Sequence, residues 1–304
     1  MSATNDGGID EQKLLFLACI QGQLESAKFV VERLSANIEA TFDAMGNTPL
    51  IYVSLEGKAD FVRYFLARGA SINRTNKRGF SALHTAVVGG SSEVCALLLE
   101  AGADVNQRQP DGTTPLMEAS QRNQLNAAKC LVEKGGADLE LSSSIGHTAL
   151  TYAAFSGHLD FVRYLLARGA VVNGKDIANA SPLHYAVFGR HLDVCSALVE
   201  AGIDVKQQVG ASGITALHAA YLVNDLNIVK FLVEKAGADL EIRDASGRTA
   251  LMGAAFEGQA DIVQYLMTKK ARTDWKDENG DTAIDYAEKK GRTEMVKILR
   301  SATP

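Results

Sequence analysis

The sequence predicts an all-α solenoid: a stack of helix–turn–helix units joined by β-hairpin-like fingers. Two observations predict it. A short motif opening on Thr or Ser recurs every 33 or 34 residues, and each recurrence is followed by two short apolar segments separated by a turn signal, most often glycine. A period of this size marks units that cannot bury their apolar face alone and must stack.

The motif begins at Thr48, Ser81, Thr114, Thr148, Ser181, Thr215, Thr249 and Thr282, and a degenerate ninth unit begins near Lys13. The spacing predicts one repeat domain over residues 13–300, a disordered polar tail over 1–12 and a short tail over 301–304. Each Thr or Ser is a helix N-cap, its hydroxyl accepting a bond from an otherwise unpaired backbone N–H. Pro49, Pro115 and Pro182 take the first helical position, where no N–H is needed. Leucines such as Leu50, Leu83 and Leu150 are core knobs, and small residues such as Ala86 and Ala119 let helices approach closely.

Nine residues after most caps comes a turn glycine: Gly57, Gly90, Gly157, Gly258 and Gly291. A left-handed conformation ends the first helix there. The second helix carries apolar pairs one turn apart, as in Phe61, Val62, Phe65 and Leu66, a stripe that must be buried. It closes at Gly69, Gly102, Gly169 or Gly202, with one-residue expansions at Gly135-Gly136 and Ala236-Gly237. Segments such as Gly102-Ala-Asp-Val-Asn then lead through the finger to the next cap. Asp285, Glu288, Lys289 and Lys290 give the last unit a solvated outer side, as a terminal cap requires.

These residues resemble the ankyrin repeat, whose pattern runs D-x-x-G-x-T-P-L-H-x-A-A-x-x-G, a second helix, then G-A-D-V-N. The resemblance covers about residues 13 to 300 at nine registers. It implies a protein-binding module whose concave face, lined by finger tips and first-helix ends, receives the partner. It also implies that His84, His184 and His218, fourth in their tetrapeptides, link neighbouring loops. Asn73, Asn106 and Asn173 match the finger asparagine, which in relatives bonds within the finger and can be hydroxylated.

The chemistry-bearing residues otherwise fall into the repeat. His158 and His191 follow the inter-helix turn, and His147 precedes a cap. Same-register histidines stand a repeat apart, so no metal site is expected. Cys95 and Cys195 occupy a core position that is valine elsewhere, and neither Cys19 nor Cys130 has a histidine placed as its base. The periodic glycines form no phosphate loop. The expectation is a non-catalytic protein without cofactor or metal.

A net charge of -5 disfavours nucleic acid, no run suits a bilayer, and residues 1–12 lack the pattern of an export signal. Four thiols without that signal suggest a reducing compartment, cytoplasm or nucleus. The chain is expected to be monomeric and to bind another protein or an extended peptide.

The groove position lies seven residues after each cap. Its occupants are Leu55, Val88, Gln121, Phe155, Phe188, Leu222, Phe256 and Lys289, with Ile20 in the first unit. Most are apolar, as interaction surfaces are. Tyr52, Tyr152, Tyr185 and Tyr286 lie one turn back, and Tyr221 and Val223 add bulk, so the richest stretch is Tyr152, Phe155, Tyr185, Phe188, Tyr221, Leu222 and Phe256. Gln121, Arg122 and Asn123 interrupt the stripe and divide the groove into two sub-sites. Finger tips add Lys77, Arg78, Arg108, Lys175, Arg243, Arg248 and Lys276, which read either as a solvated edge or as selection for an acidic-flanked peptide. Trp275 reads as a local core filler or an anchor. The function expected is a scaffold or adaptor. Stoichiometric inhibition, assembly chaperoning in the manner of cyclin-dependent kinase inhibitors or gankyrin, and a pathogen effector are the alternatives.

Overall fold

The computed structural model describes residues 10–301. Positions 1–9 and 302–304, which hold most of the two expected tails, lie outside them. Residues 10–12, expected in the tail, instead supply the cap and first turn of a helix: Asp10 Oδ1 accepts from Lys13 N at 3.0 Å.

The described chain falls into two compact units, one ending at Ser144 and the other starting at Ile145. The first contains α1 (Glu11–Gln21), α2 (Leu24–Arg33), α3 (Pro49–Leu55), α4 (Ala59–Ala67), α5 (Ala82–Val88), α6 (Ser92–Glu100), α7 (Pro115–Gln121) and α8 (Leu125–Glu133). The second contains α9 (Ala149–Ser156), α10 (Leu159–Ala167), α11 (Pro182–Phe188), α12 (Leu192–Glu200), α13 (Ala216–Leu222), α14 (Leu226–Glu234), α15 (Ala250–Glu257), α16 (Ala260–Thr268), α17 (Ala283–Lys289) and α18 (Thr293–Ser301). Each unit is an all-α repeat stack, in which a first helix packs on the first helices beside it and on its own second helix.

The caps act as their chemistry requires. Thr48, Ser81, Thr114, Thr148, Thr215 and Thr249 each accept from the backbone N–H three residues on, at 3.3–3.5 Å. At Ser181 the hydroxyl stands 2.9 Å from His184 Nδ1. The turn glycines Gly57, Gly90, Gly157, Gly258 and Gly291 all have φ between 67° and 81°. Where glycine is missing from this position, Asn123, Arg190 and Asn224 take φ of 57°, 62° and 53°.

The fingers are hairpin-like in path, but among the described residues they carry no strand, only isolated antiparallel bridges at Thr75–Ser81 and Val209–Ile214. Side chains close the turns instead. Asn76 Oδ1 accepts from Arg78 N and Phe80 N, and Asp176 Oδ1 from Ala178 N and Ala180 N. Asp244 does the same for Ser246 and Arg248, and Asp277 for Asn279 and Asp281. Such bonds satisfy backbone donors that a β-ladder would otherwise use.

The finger asparagines reach outward rather than within their own finger. Asn73 and Asn106 Oδ1 accept from Asp104 N and Asp138 N, and Asn173 Oδ1 from Asp204 N, each on the next finger. The outer faces of the terminal repeats differ. The last is polar, with Arg300 on Glu288 and Lys289 on Asp281, whereas the first exposes Leu14, Leu17 and Phe29.

Candidate functional site

The first helices are seven or eight residues long apart from α1, barely two turns, so the residue seven after the cap stands at the helix end. In the second unit this register exposes Phe155 (54%), Phe188 (40%) and Leu222 (47%) on the consecutive helices α9, α11 and α13. Neighbouring helices pack 8–10 Å apart, so the three form an apolar strip roughly 20 Å long. Phe256 is half-buried: Lys290 Nζ lies 4.3 Å over its ring, and the Tyr286 ring meets it edge-on at 5.5 Å. In the first unit Ile20 and Gln121 are exposed, while Leu55 and Val88 are half-buried.

The ends of these helices are tied from the next repeat. Lys58 Nζ donates to Cys19 O and Ile20 O at 2.6 and 2.9 Å. His191 Nε2 lies 3.1 Å from Phe155 O, and Gln259 Nε2 donates to Tyr221 O at 2.7 Å. These side chains satisfy carbonyls that a helix leaves unpaired at its C-terminus, so the strip's backbone is tied at α9 and α13.

The tyrosines divide into two kinds. Tyr185 is half-buried in a polar cluster: its hydroxyl donates to Asp176 Oδ2 and stands 2.8 Å from His147 Nε2. His147 in turn meets the Tyr152 ring edge-on at 5.2 Å. Burial and the Asp176 carboxylate both push the Tyr185 phenol up, and burial pulls His147 down against the opposing pull of Asp176. The Phe155 ring meets Tyr185 edge-on at 6.1 Å, so the cluster supports the strip from beneath.

Tyr221 does not belong to the surface. It is 3% exposed and turns inward over Gly253, where a Cβ would fall 2.2 Å from its Cζ. The missing methyl provides the room that the phenol occupies.

The finger cations are mostly engaged. Arg248 grips Asp244 through Nε and Nη2 at 3.0 and 2.9 Å, so it belongs to its own turn rather than to a free tip. Arg108 Nη2 donates to Ser142 O at 2.5 Å and Lys77 Nζ to Ala44 O at 3.0 Å. Arg243 lies over the half-buried Trp275 ring at 4.8 Å, as does Arg272 at 4.6 Å. Arg78 is exposed and makes no side-chain bond among the described residues.

His84, His184 and His218 are buried, each with Nδ1 2.8–2.9 Å from its cap hydroxyl. His218 Nε2 also reaches Arg248 O at 3.1 Å, a link to the next loop. Burial pulls the imidazoles of His84 and His184 down to about 4. Cys19, Cys95 and Cys195 are buried and their thiols pushed up to about 12 by that burial, the reverse of an activated nucleophile. Among the described residues no group of three or more His, Cys, Asp or Glu side chains could hold a metal ion. No described helix is long and apolar enough to cross a membrane.

Asp176 and Glu118 are missing from the residues the sequence points to, and His147 enters there only as the residue before a cap. Their signal is a spacing: the residue five before a cap pairs with the residue four after it. It recurs as Gln109–Glu118 (3.1 Å), Asp176–Tyr185 and Asp277–Tyr286 (2.5 Å).

The family described as Ankyrin repeats (3 copies) matches residues 15–109, 83–176, 136–209, 171–244 and 217–303. The Transient receptor potential cation channel subfamily A member 1 of Homo sapiens is 29% identical over 207 residues, 64% of this chain and 18% of that protein. The Ankyrin repeat and KH domain-containing protein mask-1 of Caenorhabditis elegans is 31% identical over 201 residues, 65% of this chain and 7% of that protein. A Putative ankyrin repeat protein of Rickettsia felis is 40% identical over 117 residues, 38% of this chain and 51% of that protein. The chain thus spans about half the length of the last relative and a small fraction of the other two. Repeats of this kind generally mediate protein–protein interaction and are generally non-catalytic.

Proposed function

The chain belongs to the ankyrin-repeat family, and from that premise we propose that it is an interaction scaffold or adaptor that seats a partner protein or extended peptide on the first-helix face of its second unit. One observation carries this reading: Phe155, Phe188 and Leu222 stand exposed in the same register of three consecutive repeats. Large side chains left in water on a fixed backbone favour a surface that another molecule covers. Aromatic anchors with few rotamers suit that role, since little freedom is lost when they bind.

A photo-crosslinking amino acid at position 188 tests the reading, with one at Arg163, exposed on α10, as control. Position 188 should capture a discrete partner and position 163 should not. The captured protein, purified, should then lose at least tenfold in affinity for a Phe155→Ser, Phe188→Ser, Leu222→Ser variant with an unchanged melting temperature. Equal capture from both positions, or unaltered affinity of the folded triple variant, refutes it. If the partner is an enzyme that the full chain silences, the scaffold is a stoichiometric inhibitor.

A further inference from the structure

The geometry points to a second, chemically distinct subsite in the first unit: a preformed pocket for one large apolar side chain of an extended peptide flanked by carboxylates. It rests on the reading of the first-helix face as the partner surface, but on different residues. Met45, Leu55, Phe80 and Val88 wall a cavity of about 190 Å³, with Arg78 and Arg122 also lining it. That is smaller than the roughly 300–1,000 Å³ of small-molecule sites, and it suits a single side chain.

The pocket is rigid. Thr85 Oγ1 donates to Ile51 O at 3.0 Å, tying α5 to α3. The two backbones approach so closely that a Cβ on Gly89 would lie 2.0 Å from Leu55 O. Asn76 joins Asn47 at 2.8 Å, and its Oδ1 accepts from Arg78 N and Phe80 N, which sets wall and rim together. Lys77 N donates to Met45 O at 2.9 Å and holds the neighbouring finger against them. The polar side chains of Asn47, Asn76 and Thr85 are thus engaged by the protein itself, which leaves the interior for an apolar occupant, and prior ordering lowers the entropy lost on binding.

The charge is one-sided. Among the described residues no carboxylate lines the cavity. Arg122 commits Nε to Glu118 at 3.0 Å, and Arg78 commits nothing among the described residues. An apolar residue next to Glu or Asp complements this pocket, and one next to Lys does not.

The test is amide-resolved NMR on the full chain with three probes: acetyl-Gly-Glu-Leu-Glu-Gly-amide and its Gln and Lys counterparts. The Glu probe should shift the amides of Leu55, Phe80 and Val88 saturably, about three- to fivefold more tightly than the Gln probe at low salt. Arg78→Glu, on an exposed rim where folding is not at risk, should abolish that preference and favour the Lys probe. Equal binding of Glu and Gln probes, no saturable shift at these amides, or the same shifts from inorganic phosphate alone would overturn the proposal. A crosslink from position 188 without a response here defeats this subsite alone, and the converse defeats only the reading of the second unit.

Discussion

Tyr221 and Gly253 form a lock whose two halves lie 32 positions apart, and exchanging Gly253 for Ala probes it. The new methyl would stand 2.2 Å from Cζ, 2.5 Å from the hydroxyl oxygen and 2.7 Å from Cε1 of a ring that is 3% exposed and has nowhere to retreat. Overpacking of this kind costs about 1–3 kcal/mol. Position 253 lies inside α15, where Ala outperforms Gly by about 1 kcal/mol. Gly253→Ala alone should therefore lower stability by up to about 2 kcal/mol. In a Tyr221→Ala background the clash is gone, and the same exchange should raise stability by about 1 kcal/mol. Urea unfolding followed by circular dichroism, with slopes compared across all four proteins, measures the coupling. A sign reversal is expected, and a coupling below about 0.5 kcal/mol would show that the ring does not depend on the absent methyl.

Three other outcomes follow from the geometry. His84 and His184 are neutral in the folded chain and pulled down to about 4, against about 6.5 unfolded. Their stabilisation is complete above pH 6.5 and fades as pH falls toward 4. At pH 5 each removes about 2 kcal/mol, which urea midpoints at pH 7 and 5 would show; an unchanged midpoint rejects the burial argument. Arg190 holds φ 62° without being glycine, so Arg190→Gly should gain up to about 1 kcal/mol. Asn224→Gly, at φ 53°, should change little because Asn tolerates this region; equal thermal shifts for both would dismiss left-handed strain. Asp176→Ala removes the acceptor for two backbone amides and the Tyr185 hydroxyl. It should cost about 2–3 kcal/mol by thermal unfolding and release Tyr185 toward an ordinary phenol titration in the ultraviolet, while Asp176→Asn should cost less.

What could be read in advance was local. A cap, a turn glycine and an apolar pair one turn later are decided within a dozen residues, so Thr48, Gly57 and Phe61 declare themselves in the chain. The surface register was legible for the same reason: Phe155 and Phe188 face water by counting from a cap. Tyr221 was not, because what admits it is a methyl missing from the next repeat. Arg248 reads as a finger charge in the sequence although Nε and Nη2 both hold Asp244 Oδ2, since a charge four residues from an opposite one reads equally well as a solvated edge. The fingers took a hairpin path without strands because Asn76, Asp176 and their equivalents satisfy the backbone themselves. Asn73 Oδ1 accepts from Asp104 N on the next finger, a partner that counting within one finger does not reach.

The ties at the helix ends bear on how such a chain can vary. Lys58, His191 and Gln259 share one position, ten residues past the cap, and all reach a carbonyl of the preceding repeat. At that same position Ser91 and Asp225 turn the other way and accept from the start of their own second helices. Letter by letter the position looks unconstrained, yet these five occupants use it in two ways: a long side chain gives a proton back, or a short one receives one forward. Substitution there should follow the direction of the hydrogen bond rather than likeness of residue, with His191→Lys harmless and His191→Leu leaving Phe155 on a frayed end.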